Sequence, residues 1–292
     1  MAIQENDSTW TLGSLTAPAL AGKAKIGDSA LARRLTGALE GEVLFDRFSR
    51  GRYATDASIY QMEPLGVVVP RHGADIRAAL AIAAEAGVPV TARGGGTSQC
   101  GQTVNHSLVL DLSKYLNKMV EFDAASATAE VEPGIVLDDL NRLLKPQGLW
   151  FPVDVSTSSR ATIGGMTGNN SCGSRSIKYG TMRDNVLAID AILADGAAMH
   201  FGAVTGDDLA RLANGPQGAI IVQLMALGAA EADEIRARFP DLMRRVGGYN
   251  IDALLPGNDI NLSHLLVGSE GTLAYSERVR LKLSPLASNK TL

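Results

Sequence analysis

Arg93-Gly94-Gly95-Gly96-Thr97-Ser98-Gln99-Cys100-Gly101 stands directly after the apolar run Val88-Pro89-Val90-Thr91-Ala92, and this junction decides the fold. Adjacent glycines allow positive φ and remove side chains that would hold a ligand off, so neighbouring N–H groups can converge on an anion. Arg93, Thr97 and Ser98 add donors. Upstream, Gly66-Val67-Val68-Val69-Pro70 reads as a short buried strand. Asp75 opens a helix with Ile76, Ala79, Leu80 and Ala83 on one face, closed by Gly87. The unit is β-α-β, which implies a parallel pair with a right-handed crossover. It places the glycines at a strand's carboxyl end, where open α/β sheets bind their ligands.

Two familiar glycine motifs fail here. Gly96-Thr97-Ser98-Gln99-Cys100-Gly101-Gln102-Thr103 imitates a nucleotide P-loop, but Gln102 occupies the position of the phosphate-gripping lysine and no helix pattern follows. The dinucleotide fingerprint needs a third glycine where Gln99 or Cys100 stands.

The 292 residues, 46% hydrophobic and 20% charged, suffice for one large or two small domains with a substantial core. A net charge of -4 without a basic stripe argues against nucleic acid as a partner. Met1 to Trp10 lacks a basic start and apolar core, so a cytoplasmic location is expected. The longest apolar stretch, Ala219 to Ala230, is too short for a membrane span. Cys100 and Cys172 are the only cysteines, which leaves neither a disulfide framework nor a metal-ligand spacing. With 31 glycines and 5% aromatics, the chain is suited to loops lined by backbone.

Residues 1–55 read as an accessory segment: a polar lead, a helix from Asp28 to Glu40, and a charged link through Arg47, Arg50 and Arg52. After the strand Leu108 to Leu112, the runs Met119 to Phe122 and Thr128 to Val131 spell an antiparallel hairpin. Val136 to Leu144 is an amphipathic helix ended by Pro146 and Gly148. The run Thr162-Ile163-Gly164-Gly165-Met166-Thr167-Gly168-Asn169-Asn170-Ser171-Cys172-Gly173 offers mainly backbone, which suits close wrapping of a flat or extended ligand. Val186 to Leu193 and Ala198 to Phe201 form a hairpin around Asp195-Gly196. Residues 205–262 are helical and read as an insertion. Leu273, Tyr275, Glu277, Val279, Leu281 and Leu283 then alternate, a last long strand expected to close the sheet.

Arg93 to Ser98, the Thr162 to Gly173 run with Tyr179-Gly180, and Gly268-Ser269-Glu270-Gly271-Thr272-Leu273 together resemble the PCMH-type FAD-binding domain of the vanillyl-alcohol oxidase / p-cresol methylhydroxylase family. More narrowly, they resemble its D-lactate and D-2-hydroxyglutarate dehydrogenase branch. The resemblance covers roughly 56–285. It implies an α+β fold of two subdomains: a small β-α-β unit (56–115), and a larger antiparallel sheet with helices (116–285) carrying the 205–262 insertion. In the family a substrate domain follows, and residues 286–292 read as a tail with that domain absent.

The resemblance further implies FAD, contacted at its diphosphate by Gly94, Gly95, Gly96, Thr97 and Ser98, with Arg93 orienting the loop. Pro152, Thr162, Gly164, Gly165 and Gly173 would line the adenosine and isoalloxazine sides, with Val186 near the adenine and Glu270 near the last strand. Gly101, Gln102, Ile163, Thr167, Asn170 and Gly180 complete the implied cofactor contacts. Relatives that bind flavin covalently often carry histidine where Thr97 stands, so the FAD here is expected to be non-covalent. Many relatives have asparagine where Met166 stands and glycine where Cys172 stands; Gly164-Gly165-Met166 with Asn169-Asn170-Ser171 resembles the large members fused to an iron-sulfur module, and a cluster would belong only to a longer protein.

The implied activity is oxidation of a D-2-hydroxy acid by hydride transfer to FAD, with the electron acceptor open. None of His72, His106, His200 or His264 falls in a recognisable catalytic cluster. Two alternatives stand beside this reading: an NADPH-dependent reductase of the UDP-N-acetylenolpyruvoylglucosamine type, and a non-catalytic flavin-binding interaction module.

Overall fold

The computed structural model describes residues 24–205, 211–242, 244–257 and 259–287. The polar lead and most of the tail lie outside these.

A four-stranded sheet takes the order β1-β2-β4-β3, from β1 (Glu42–Leu44), β2 (Gly66–Val69), β3 (Val90–Arg93) and β4 (Leu108–Asp111). β2 and β3 both run parallel to β4, so the β-α-β crossover through α3 (Gly73–Glu85) passes over β4 and does not join neighbours. Val67, Val68, Leu108, Val109 and Leu110 are fully buried because both faces are covered. α1 (Ser29–Ala38) and α3 supply one cover, with Leu31, Leu35, Ile76 and Ala79 in the shared core. Val67, Val69 and Val109 pack on the other face with Leu44, Tyr53 and Tyr115. Burial on both sides is why these strands read as unbroken apolar runs.

The segment expected to be accessory is built into this sheet. Glu42, Val43 and Leu44 pair antiparallel with Val69, Val68 and Val67. The expected charged link is α2 (Arg47–Tyr53), started by Asp46, whose carboxylate accepts from the Ser49 N–H at 2.9 Å. Its charges hid the helix because the buried side of so short an element offers too few residues for a periodic pattern.

The second sheet is antiparallel, in the order β5-β6-β12-β8-β9, from β5 (Met119–Asp123), β6 (Thr128–Val131), β8 (Val186–Ile192), β9 (Ala198–Phe201) and β12 (Tyr275–Lys282). The last long strand, expected to close the sheet, does so at its centre: β12 pairs with β6 on one side and β8 on the other. Val279 and Leu281 are fully buried while Arg280 and Lys282 are exposed, the alternation of a sheet with one face in water. α4 (Leu137–Leu144) and α5 (Ile163–Gly168) contribute Leu140, Leu144, Ile163 and Met166 to the core on the covered face. The short strands β7 (Leu149–Trp150) and Ser284–Pro285 pair beside it.

β10 (Ala203–Val204) and β11 (Ile260–Asn261) pair at the base of the helical insertion. Its helix Gly218–Ala230 buries Gly218, Ile221 and Gly228 but leaves Ile220, Val222 and Leu227 exposed, so the apolar run is core on one side only. Among the described residues no helix is long and apolar enough to cross a membrane.

Candidate functional site: a cavity between the two sheets

A cavity of about 480 Å³ lies between the sheets, within the range of small-molecule and cofactor sites. The Arg93–Ser98 stretch, Gln102, Thr162, Gly164, Gly165 and Glu270 all line it. Residues far apart in sequence therefore meet around one cavity.

The glycine loop leaves β3 and packs onto the chain that starts α5. A Cβ on Gly94 would lie 2.0 Å from Thr162 Oγ1, and one on Gly95 would lie 2.2 Å from the Arg160 carbonyl oxygen. Gly96 adopts φ +62°, the left-handed conformation. Close approach explains Gly95 and backbone handedness explains Gly96. The N–H groups of Gly95, Gly96, Thr97 and Ser98 find no acceptor among the described residues. Gly95 is exposed and Gly96, Thr97 and Ser98 are half-buried, so this row, unspent within the protein, is open to a ligand. Converging N–H donors without side-chain obstruction suit a diphosphate.

Arg93 does not aim at that ligand. Its guanidinium donates to the carbonyls of Thr55 at 2.7 Å, Tyr53 at 3.2 Å and Thr103 at 3.3 Å. It also lies 5.4 Å from the Tyr53 ring centroid. Burial lowers its pKa, partly offset by Asp56 and Asp111. The side chain fixes the base of the loop.

The Thr162–Gly173 run, expected to offer its backbone to a ligand, begins with α5. Thr162 caps it by accepting from the Gly165 N–H at 3.3 Å. Ile163 donates to Ile135 at 2.9 Å and Gly164 to Pro133 at 2.7 Å, both backbone carbonyls. These N–H groups are spent within the protein. Tertiary contacts carry this helix despite its glycines, since Ile163, Met166 and Thr167 are buried.

Several expected contact residues are structural. Ile163 is fully buried, and Thr167, with 1% exposure, donates its hydroxyl to the Ile163 carbonyl at 2.8 Å. Asn170, at φ +49°, bridges Arg183 N–H and the Arg245 carbonyl. A Cβ on Gly173 would lie 1.4 Å from the Asp154 carbonyl oxygen. Gly180 turns at φ +78°, and Gly101 at φ +80° lies against the Tyr60 ring. Pro152 is buried, and Val186 starts β8 within the hydrophobic core. None of these eight side chains or glycines lines the cavity.

Glu270 does line it, at φ +54°, a conformation uncommon outside glycine. Its N–H donates to the Gly168 carbonyl at 2.8 Å, tying this loop to α5. Gln102 Nε2 stands 3.3 Å from both carboxylate oxygens, linking loops from the two sheets. Partial burial raises the Glu270 carboxyl above its ordinary pKa, with the Gln102 contact pulling the other way.

Sequence reasoning missed Asn169, Ser171, Ser269 and Tyr275 around this cavity. Tyr275 is 8% exposed and its hydroxyl has no hydrogen-bond partner among the described residues. A buried unpaired hydroxyl costs about 1–3 kcal/mol. In the sequence, Tyr275 is one position of the alternating run Leu273 to Leu283, which carries no sign of an unpaired hydroxyl.

Residues 64–202 match the family described as FAD binding domain. They form an FAD-binding domain of the PCMH type. The chain is 36% identical over 241 residues to a D-2-hydroxyglutarate dehydrogenase of Pantoea ananatis, covering 80% of this chain and 24% of that one. It is 38% identical over 192 residues to glycolate oxidase subunit GlcD of Bacillus subtilis, covering 62% and 41% respectively. A D-lactate dehydrogenase of Archaeoglobus fulgidus is 30% identical over 226 residues, covering 77% of this chain and 40% of that one. The chain thus spans about a quarter of the length of the D-2-hydroxyglutarate dehydrogenases it matches. The fold agrees with alkyldihydroxyacetonephosphate synthase at a TM-score of 0.64 and 18% identity, over 89% of this chain and 41% of that one.

The geometry fits the cofactor of such a domain. The unspent N–H row suits the diphosphate, the glycines leave room for it, and the cavity has both an apolar and a polar wall for the remainder.

Proposed function

We propose that this chain is the FAD-binding part of a flavin-dependent dehydrogenase that oxidises a D-2-hydroxy acid, with D-2-hydroxyglutarate or D-lactate as substrate. The observation that carries this is the row of unspent N–H groups at Gly95–Ser98, facing a cavity between two sheets, in a chain similar to dehydrogenases of that class. Residues 56–285 serve as the FAD-binding body, divided near 115 and carrying the 205–262 insertion.

When bound, FAD supplies an acceptor for the hydride on the carbon bearing the hydroxyl. The Gly95–Ser98 backbone holds the diphosphate, and Arg93 keeps that loop from shifting by filling its base with charge-assisted hydrogen bonds. Thr97 provides no histidine nitrogen for a covalent link, so the flavin is held by these contacts alone. Glu270 and Gln102 link the loops at the polar wall and fix the spacing of the two subdomains there. The apolar residues between α3, β3 and β8 exclude water from the remainder of the cofactor.

The test is anaerobic addition of D-2-hydroxyglutarate, D-lactate or NADPH to the full-length protein, followed by the visible flavin band. Bleaching by one of the hydroxy acids in the D form, and not by its L form, is expected. Bleaching by NADPH alone would replace this reading with that of a flavin reductase. A purified protein that neither carries nor takes up FAD would remove both.

A further inference from the structure

The cavity has two unlike walls. Gln102, Asn169, Ser171 and Glu270 make one polar, and Glu270 is exposed there. Leu80, Ala84, Val88, Val90 and Ile192 make the other apolar. Tyr275 belongs to this second wall, pairing with Ile192 across β12 and β8 and packing in the same cluster as Leu80, Val88 and Val90. It is nine-tenths buried and its hydroxyl is unpartnered. A phenylalanine would fill this place without leaving a polar atom unpaired, so packing alone does not account for the hydroxyl.

A group that suits this wall is flat and apolar on its faces, with a hydrogen-bond acceptor on its edge. Both ring systems of FAD meet that description, and access separates them. The reacting ring must meet an incoming substrate, which the polar wall with exposed Glu270 permits. The apolar wall, where Tyr275, Val88 and Ile192 are buried, suits the purine.

Resting on the FAD reading above, we propose that Tyr275 is a cofactor-binding residue whose hydroxyl donates to an acceptor on the purine of the adenosine end. Burial raises the phenol's pKa, so the hydroxyl keeps its proton and remains a donor at neutral pH. The contact adds specificity for the dinucleotide over a mononucleotide flavin, because the mononucleotide has no group to pair with it.

The experiment compares the full-length protein with its Tyr275→Phe variant, both freed of flavin, in titrations with FAD, ADP and FMN and in thermal unfolding. The expected result is a loss of about five- to tenfold in affinity for FAD and for ADP, the size of one hydrogen bond. FMN affinity should be unchanged, and the flavin-free variant should unfold at the wild-type temperature or higher. Equal FAD and ADP affinities in the two proteins would overturn the role of Tyr275 while leaving the FAD reading standing. An equal loss for FMN and FAD would overturn the purine assignment. A flavin-free variant that unfolds earlier, with affinities unchanged, would show that the hydroxyl is satisfied within the protein. Wild-type protein that binds no flavin at all would remove the underlying reading as well.

Discussion

The loop Gly94–Ser98 and the stretch Thr162–Gly173 look alike in composition, yet their backbones do opposite things. In the second, N–H groups that could have faced a ligand go to the protein's own carbonyls, Ile163 to Ile135 and Gly164 to Pro133. Its glycines admit other parts of the fold, as Gly164 admits Pro133 and Gly173 admits Asp154. In the first, close packing against Arg160 and Thr162 fixes the loop, but the N–H groups from Gly95 to Ser98 stay unspent. Glycine density reports close approach of something to the backbone. Where the N–H groups go tells whether that something is protein or ligand.

The sharpest separation of the two regions comes from filling a glycine in each. Gly173→Val would place a Cβ 1.4 Å from the Asp154 carbonyl oxygen, a backbone atom that cannot swing aside. The expected cost is on the order of 3 kcal/mol or more, the upper end for overpacking, with thermal unfolding lowered whether or not FAD is present. Unfolding at the wild-type temperature would show that this region yields more readily than its packing implies.

A pH change loosens the second region selectively. His264 accepts at its carbonyl from the Asn250 side-chain amide at 3.3 Å, in the network where Arg183 and Arg245 share Asp252 and reach Asn170. Burial, and then the Arg183 charge, lower the His264 pKa from 6.5 to about 4. The unfolded chain therefore binds the proton first, and stability is lost as pH falls from about 6.5 toward about 4. The loss should reach on the order of 2 kcal/mol, and His264→Gln should remove most of that slope. Hydrogen exchange should rise around Asn170 over this interval and stay level at Gly94–Ser98; a uniform rise would erase the contrast.

Gly96→Ala acts on the first region. It forces a side chain into φ +62° with its Cβ 2.6 Å from the Arg93 guanidinium. A loss of about tenfold in FAD affinity is expected, equivalent to about 1.4 kcal/mol, with a smaller change in the stability of the flavin-free protein. The reverse pattern, stability lost and affinity kept, would make this loop structural like the other. Titration with FAD alongside thermal unfolding reads both.

The smallest effect belongs to Glu270, where the regions join. Its raised carboxyl pKa means the folded state holds the proton more tightly, so its ionisation lowers stability as pH rises above the ordinary carboxylate range. Glu270→Gln should flatten that slope by less than about 1 kcal/mol, since solvent reaches the group. A steeper slope in the variant would reverse the assignment of the shift.

Much of this architecture was legible in the residues. The unbroken apolar runs of β2 and β4, the alternation of β12 and the Asp195-Gly196 turn marked their elements, because burial on one or two faces writes itself as a period. The helix α5 was not legible, since its residues have poor propensity and it forms through a cap and packing partners distant in sequence. The pairing of β1 was hidden by its brevity, and the central place of β12 by its position late in the chain. At the site, the Arg93–Ser98 loop and Glu270 could be named from sequence. The carbonyl cage of Arg93 and the unpaired hydroxyl of Tyr275 could not, because both depend on what the folded chain brings near and what it leaves out.

In the proposed function the amides of Gly95, Gly96, Thr97 and Ser98 hold the cofactor's diphosphate. Amide chemical shifts of the isotope-labelled protein, followed during titration with FAD, test it most directly. The prediction is that these four amide protons move downfield together and become protected from exchange, while those of Ile163 and Gly164, already bonded within the protein, move little. Four unmoved amides in a protein that has bound FAD, with the large shifts at Ile163 and Gly164, would contradict it.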